Sequence, residues 1–293
     1  MNLKARCLHV LPRIVKPLVA SLKFINATLQ CGTADQNLTN FQLAILRTLA
    51  TIAEVLPDFL LPHLTLIFSS DALPSTSLQH GVVHVDNSVV TASNQLEVSL
   101  ATKTPVRQLI PCLSHALSQM LTQQGSGTRW EEACTILRVM NIATEHAARS
   151  DLTPVVGKIF NGLVVAYQNE GDEKSSSQLL KYANKCLLSL VMKLSEAQLR
   201  PLYARLREWR GNIDTGNVPS PASSSRRYAF WSLSAELSQA LKTIFLPCLT
   251  SVMTDVIDEL VRFFLMLAFR SMTILFLHSE LCSLGNCRVY TML

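Results

Sequence analysis

Six prolines recur through this 293-residue chain at intervals of 45 to 49 residues. Each of them precedes or opens an apolar stretch, and proline is favoured in the first turn of a helix, where its missing N–H would have no partner. An interval of about 40 to 47 residues is typical of repeats in which each unit is a pair of helices. The spacing therefore predicts a series of repeated helix pairs. The six positions are Pro12, Pro57, Pro105, Pro154, Pro201 and Pro247.

Local sequence signals predict helices between these prolines. Apolar residues recur every three or four positions, as at Leu46, Leu49 and Ala53, which is the spacing of one helix face. The chain has only 10 glycines, too few for a fold with many tight turns, and its 48% hydrophobic content is enough for a large core. Helix starts are predicted from cap residues at Thr39 with Gln42, Thr128 with Glu131, Ser175 with Gln178, and Ser225. These patterns predict an all-α, HEAT-type α-solenoid of stacked antiparallel helix pairs.

Composition divides the chain into one helical-repeat segment and a short tail. Residues 1–260 are predicted to form a single solenoid, with a linker near 211–227 where prolines and serines cluster. The Val-rich stretch 80–90 is predicted to be an inter-repeat loop. Residues 261–293 form a divergent hydrophobic tail. A membrane-anchored protein that crosses a bilayer through 260–277 is a further alternative, but Arg270 within that window opposes it.

No motif in the sequence predicts catalysis, and we expect neither a cofactor nor a bound metal. His80 and His84 have one carboxylate nearby, Asp86, whereas a zinc site needs three or four protein ligands. The eight cysteines are scattered, mostly in apolar stretches, which is typical of reduced thiols in a protein core. Glu131 and Glu132 begin a predicted helix, where the helix dipole favours acidic groups. We therefore predict that the chain is not an enzyme and has no small-molecule substrate.

Basic residues concentrate in one predicted helix pair, although the formal net charge of the chain is only +5. Tyr203 and Trp209 lie among these residues, and basic side chains beside exposed aromatic rings can hold RNA phosphates and stack on bases. The opposing interpretation is a solvated outer face, because Glu196 and Glu208 dilute the positive charge. The candidate RNA or partner contacts are Lys181, Lys185, Lys193, Arg200, Arg205, Arg207 and Arg210.

Four stretches in a shared order carry a resemblance to a known family. Residues 192–203, followed by Leu206 and Trp209, resemble the C-terminal HEAT region of the HEAT repeat-containing protein 1 family, called U3 small nucleolar RNA-associated protein 10 in yeast. Residues 56–64, 104–111 and 160–167 support the same resemblance, which covers residues 3–255. The tail 261–293 departs from the family pattern. Because proteins of the family are far longer, the resemblance implies that this chain is a fragment or variant of their C-terminal region.

The resemblance implies a non-catalytic scaffold of the small-subunit processome, which supports early pre-rRNA processing and rRNA transcription in the nucleolus of the nucleus. The implied partners are other processome proteins, together with the U3 small nucleolar ribonucleoprotein and pre-rRNA, contacted directly or indirectly. The residues taken alone leave another function open, a HEAT-type protein–protein adaptor without an RNA role. The membrane-anchored alternative remains the third class.

Overall fold

The computed structural model describes residues 11–30, 36–68, 87–122, 129–168, 173–211, 221–250, 252–261 and 264. Within these ranges the regular elements are all helical, and no strand is present. The α-helices are α1 (Leu11–Gln30), α2 (Gln36–Val55), α3 (Leu64–Phe68), α4 (Asn87–Lys103), α5 (Val106–Thr122), α6 (Arg129–His146), α7 (Arg149–Leu152), α8 (Val156–Tyr167), α9 (Glu173–Val191), α10 (Glu196–Gly211), α11 (Pro221–Leu241) and α12 (Leu246–Thr250). Short 3-10 turns lie at Pro57–Phe59, Leu61–His63, Thr153–Val155 and Lys242–Phe245.

The helices up to residue 240 form two layers. The first layer contains α2, α4, α6, α9 and α11, each in contact with the next. The second layer contains α3, α5, α8 and α10, which follow their first-layer partners in the chain and contact one another in the same order. Alternation between the layers is the pattern of a helix-pair repeat. The structure therefore confirms the predicted all-α, HEAT-type solenoid.

Helix α6 shows why one helix pair is not stable alone. It contacts α4 on one flank, α9 on the other, and α5 in the second layer. Its side chains Ile136, Leu137, Met140 and Ala143 are completely buried as a result. Burying a side chain as large as leucine contributes about 1.5 to 3 kcal/mol. Neighbouring pairs therefore supply much of the core that stabilises each repeat.

Of the six predicted prolines, Pro57, Pro105, Pro154 and Pro201 lie in or directly before second-layer helices or the 3-10 turns that lead into them, but they do not all begin those helices. Pro57 begins a 3-10 turn and Pro105 directly precedes α5, as the sequence predicts. Pro201 lies inside α10, which begins five residues earlier at Glu196. The residue directly before α10 is Ser195, whose backbone N–H and hydroxyl both donate to Gln198 Oε1 at 3.1 Å. This capping box fixes the start of the helix more strongly than the proline does.

Several predicted boundaries in the first layer are wrong. Thr39, Ser175 and Ser225 lie inside helices that begin at 36, 173 and 221, so they are not cap residues. Thr128, like most of the predicted loop 80–90, lies outside the described residues. Residues 87–90 belong to α4, although valines favour strands. Packing of α4 between α2 and α6 outweighs that local preference.

Polar side chains join adjacent first-layer helices. Between α4 and α6, Arg138 donates to Glu97 Oε1 at 2.7 Å, and Glu97 is only 2% exposed. Between α6 and α9, Ser189 donates to Asn141 Oδ1 at 2.7 Å. Burial raises the pKa of Glu97 to about 7, although the Arg138 guanidinium opposes this shift. Because buried polar groups need specific partners, these bonds fix the register between repeats.

The chain divides into two compact units, Met1–Ala240 and Leu241–Leu293. Helix α11 begins at Pro221 and so includes the second half of the predicted linker 211–227. In the second unit, residues 253–261 are helical, and Met253, Ile257 and Leu260 are exposed. Most of the predicted tail 261–293 lies outside the described residues. The division of the chain at 260 and 261 stays a prediction.

Candidate nucleic-acid interface

The seven candidate basic residues do not lie on one helix face. Lys181 and Lys185 are on α9 in the first layer, and Lys193 follows the end of that helix. Four arginines are on α10 in the second layer. These arginines are Arg200, Arg205, Arg207 and Arg210. The two groups therefore have different neighbours, and their contacts decide which of them are available to a ligand.

Lys193 closes the C-terminal end of α6. Its Nζ donates to the backbone carbonyl of Ala147 at 2.7 Å and also to that of Glu145. The last carbonyls of a helix have no partner within the helix and carry a partial negative charge, so a lysine ammonium stabilises them. Lys193 therefore joins two repeats, and its charge is used within the fold.

Two arginines of α10 are bound to neighbouring side chains. The Nη2 atom of Arg200 lies 2.6 Å from Glu196 Oε1, one turn earlier on the same helix. Arg205 donates to Asn161 Oδ1 at 3.2 Å, and its guanidinium lies 5.1 Å from the centre of the Phe160 ring. The Arg205 contacts attach α10 to α8 in the preceding repeat, whereas the Arg200 pair lies within α10. Arg207 is half-buried.

Arg210 lies within an arginine–aromatic cluster between α10 and α11. Its guanidinium is 4.9 Å from the ring centre of Phe230 and 5.2 Å from that of Trp231. In the reverse direction, Arg226 of α11 lies 5.4 Å from the ring centre of Trp209 on α10. Each helix thus supplies one arginine and an aromatic surface to the other. Such cation–π contacts stabilise by about 0.5 to 2 kcal/mol each, so this cluster joins the two helices.

The two aromatic residues predicted to stack on RNA bases also belong to the interior. Tyr203 is only 2% exposed, and its hydroxyl lies 3.0 Å from that of Ser234. The ring of Trp209 is half-buried, 6.0 Å from the ring centre of Tyr167. The expectation that Tyr203 is exposed was therefore wrong. The sequence pattern did not show that this side of α10 faces α11.

Arg200 and Arg205 are exposed too, but each has a polar partner, whereas Lys181 and Lys185 are exposed without one among the described residues. They lie one turn apart on the same side of α9, and neither forms a hydrogen bond or ion pair with another described residue. On the neighbouring helix α11, Tyr228 is 66% exposed. Tyr228 was not among the predicted contacts, because these were sought only in the basic helix pair before the linker 211–227, and that linker overlaps the true start of α11. Pro221 was an available signal, since proline is favoured at the first position of a helix.

Two cysteine thiols, those of Cys134 and Cys186, are buried in the described part of the chain. Burial raises the pKa of Cys134 to about 12 and that of Cys186 to about 12, so both thiols remain protonated at neutral pH. Cys112, Cys134, Cys186 and Cys248 are free thiols. No group of three or more histidine, cysteine or acidic side chains suited to a metal occurs among the described residues.

No single helix among the described residues is long and apolar enough to cross a bilayer. One bent pair of helices, Ser225–Thr250 and Met253–Val261, meets the same length and composition test when taken together. The predicted membrane window 260–277 lies almost entirely outside the described residues.

The stacked helix pairs, with their proline interval of 45 to 49 residues, place the chain in the class of HEAT-type solenoid proteins. A family model described as the BP28CT (NUC211) domain matches residues 152–287. Over most of its length, the chain is similar to proteins named HEAT repeat-containing protein 1 and U3 small nucleolar RNA-associated protein 10, which confirms the resemblance seen in the sequence. The domain match includes most of 261–293, the segment that sequence analysis separates as a tail.

Three relatives show the extent of this similarity. The chain is 27% identical over 262 residues to HEAT repeat-containing protein 1 of Danio rerio, covering 83% of the chain and 11% of that protein. It is 24% identical to an uncharacterized protein of Arabidopsis thaliana, and the match covers 87% of the chain and 12% of that protein. It is 23% identical to U3 small nucleolar RNA-associated protein 10 of Scheffersomyces stipitis, and the match covers 89% of the chain and 14% of that protein. The chain thus spans only a small part of these relatives. No solved structure matches it.

Proposed function

We propose that this chain is a non-catalytic scaffold segment of the small-subunit processome, supporting early pre-rRNA processing and rRNA transcription in the nucleolus. The observation that carries the proposal is similarity over 83 to 89% of the chain to proteins that include U3 small nucleolar RNA-associated protein 10. Its proposed partners are other processome proteins, the U3 small nucleolar ribonucleoprotein and pre-rRNA.

The architecture is suited to such a role. Stacked helix pairs present long rows of side chains, and HEAT-type repeats commonly use these rows to bind macromolecules. The bonds Glu97–Arg138 and Asn141–Ser189 hold adjacent repeats in register, which favours a surface of fixed geometry. A scaffold of this kind needs positioned contacts rather than a reactive group. The buried, protonated thiols of Cys134 and Cys186 are consistent with that requirement.

The seven basic residues stay candidate contacts of this scaffold, but their surroundings differ. Lys181 and Lys185 are exposed, whereas Lys193, Arg205 and Arg210 each contact neighbouring helices. Any direct RNA contact is therefore expected to depend mainly on the lysines of α9. Arg205 and Arg210 of α10 contribute by holding that part of the solenoid together.

Affinity purification of the full, epitope-tagged chain from nuclear extracts tests the proposed function. U3 RNA and pre-rRNA in the eluate are measured by reverse transcription and quantitative PCR, and the tag alone and an unrelated helical solenoid of similar size serve as controls. The proposal predicts strong enrichment of both RNAs and nucleolar fluorescence of the tagged chain. Recovery of U3 RNA at the control level, with cytoplasmic partners instead, would favour the HEAT-type adaptor without an RNA role.

A further inference from the structure

We propose that the exposed side of α9 and the neighbouring part of α11 bind single-stranded RNA. Lys181 and Lys185 hold the phosphates, and the ring of Tyr228 stacks on a base. These three residues are called the α9/α11 surface below. The inference rests on the proposed function, because it names the RNA-binding part of the proposed scaffold. It differs from the sequence-based expectation by including Tyr228 and excluding the arginines of α10.

One side chain brings the two helices into register. The amide nitrogen of Asn184 on α9 donates to Glu236 Oε1 at 2.9 Å and to Ser232 Oγ at 3.5 Å, both on α11. Lys185 follows Asn184 directly, and Lys181 precedes it by three residues, or about 4.5 Å along the helix axis. Tyr228 lies one turn before Ser232, or about 6 Å along the axis of α11. The two lysines therefore lie within one helix turn of Asn184, and Tyr228 lies about one turn from Ser232 and two turns from Glu236, the two partners of Asn184 on α11.

The exposure of these residues suits a nucleic acid. Lysine ammonium groups bind phosphates as point charges and release counterions from the nucleic acid. An exposed aromatic ring supports a base by stacking, worth about 1 to 3 kcal/mol per base, and this contact tolerates any base. Glu236, the acidic residue of α11, accepts a hydrogen bond from Asn184 and is not paired with either lysine. The α9/α11 surface thus combines an exposed ring with two positive charges that have no described partner.

The same surface fits a protein partner less well. The exposed positions of α9 at Ser177, Lys181 and Lys185 form a polar stripe without a large apolar side chain. The buried centre of a protein–protein interface is depleted in lysine and serine and enriched in aromatic, methionine and arginine side chains. Single-stranded RNA matches the composition better, because its flexible backbone presents charges and unpaired bases together.

Fluorescence anisotropy with a labelled 16-nucleotide oligouridine tests this inference on the full chain. The double variant Lys181→Glu with Lys185→Glu should weaken binding at least tenfold at low salt. The slope of log affinity against log salt concentration should fall in magnitude by about 1.4, because each lost phosphate contact on a single strand removes about 0.7. Tyr228→Ala should weaken binding by about 5- to 150-fold with an unchanged salt slope, since stacking involves no counterion release.

The matched control is Lys103→Glu with Lys158→Glu, which makes the same change in charge at two exposed lysines, at the end of α4 and on α8. It should bind nearly as the unmodified chain does, and circular dichroism confirms that all variants are folded. Equal weakening by the control, unchanged binding by Tyr228→Ala, or absence of oligouridine binding by the unmodified chain would each overturn the inference.

The purification of tagged chain described above separates this inference from the proposed function. Enrichment of U3 RNA by the unmodified chain supports the scaffold role, whatever oligouridine binding shows. If the Lys181→Glu and Lys185→Glu variant loses processome proteins while oligouridine never binds the unmodified chain, the α9/α11 surface docks a protein and the RNA inference is wrong. If oligouridine binds at this surface but U3 RNA is not enriched, the failure belongs to the proposed function.

Discussion

The basic residues of α9 and α10 are neighbours in sequence but have opposite surroundings. On α9, Lys181 and Lys185 are exposed and contact no described partner. On α10, the guanidinium of Arg205 lies against the Phe160 ring, and that of Arg210 lies against Phe230 and Trp231. A count of charges along the sequence treats these residues as one patch. The contacts divide them into a surface group and a group that joins repeats.

The difference follows from the chemistry of the two side chains. The guanidinium group is planar and weakly hydrated, so it packs on an aromatic face without losing much solvation. The lysine ammonium is compact and strongly hydrated, so it stays in water unless it meets a strong acceptor. Lys193 illustrates the exception, because the carbonyls at the end of α6 provide that acceptor. Within one basic helix pair, some cationic side chains can therefore join neighbouring helices while others stay available to a ligand.

The largest expected effect on stability comes from Phe230→Ala, which removes a buried ring from the arginine–aromatic cluster between α10 and α11. Phe230 is only 1% exposed and contacts the rings of Tyr203 and Trp231 as well as Arg210. Loss of the buried ring should lower the free energy of unfolding by about 3 to 5 kcal/mol, measured by urea denaturation. The control Tyr228→Ala, two residues earlier and exposed, should change it by less than about 0.5 kcal/mol. An equal loss of stability in the two variants would contradict the distinction between exposed surface residues and residues that join neighbouring helices.

A buried carboxyl that binds a half-buried arginine sharpens the comparison through the pH dependence of stability. Arg138 binds Glu97, and burial raises the pKa of Glu97 from its usual 4.5 to about 7. Between these values the folded protein holds a proton that the unfolded chain releases, so stability should fall as the pH rises from about 4.5 to 7. Glu97→Gln should flatten that decline in urea unfolding experiments across this range. An equal flattening by the exposed control Glu208→Gln would show that Glu97 is not its source.

The smallest expected effect tests whether arginine is needed where it contacts rings. Arg210→Lys should lower the free energy of unfolding by about 1 to 2 kcal/mol, because the ammonium lacks the planar face that packs on Phe230 and Trp231. The reverse change, Lys185→Arg, should have little effect on stability, since Lys185 is exposed. Thermal unfolding of both variants measures the difference. A larger loss for Lys185→Arg would contradict the assignment of the two groups.

Most of the fold can be predicted from the sequence because its signals are periodic. The proline interval and the apolar spacing in α2 and α9 predict the helix pairs and their stacking, and the buried residues confirm both. Local signals fail where packing decides the outcome. The start of α4 contains Val89 and Val90, and the layer around it makes them helical. Pro201 marks the second layer but not the start of α10, since Ser195 and Gln198 form the cap.

The candidate site is less predictable, because exposure depends on contacts between distant repeats. The sequence shows that Lys181, Arg205 and Arg210 are basic, but not that Phe160 and Phe230 lie beside the two arginines. Tyr228 follows a serine-rich stretch and was not among the predicted contacts, although it is exposed and supplies the aromatic ring of the α9/α11 surface. The identity of basic residues is therefore visible in the sequence, whereas their availability is not.

Ultraviolet crosslinking of the tagged chain in purified pre-ribosomal particles, followed by mass spectrometry of nucleotide-bearing peptides, tests the central claim most directly. The account predicts RNA adducts on peptides that contain Tyr228 or the segment with Lys181 and Lys185. Peptides covering Arg200 to Arg210 should carry few adducts, because Tyr203 is buried and Arg210 packs on aromatic rings. Adducts concentrated on α10, with none on α9 or α11, would contradict it.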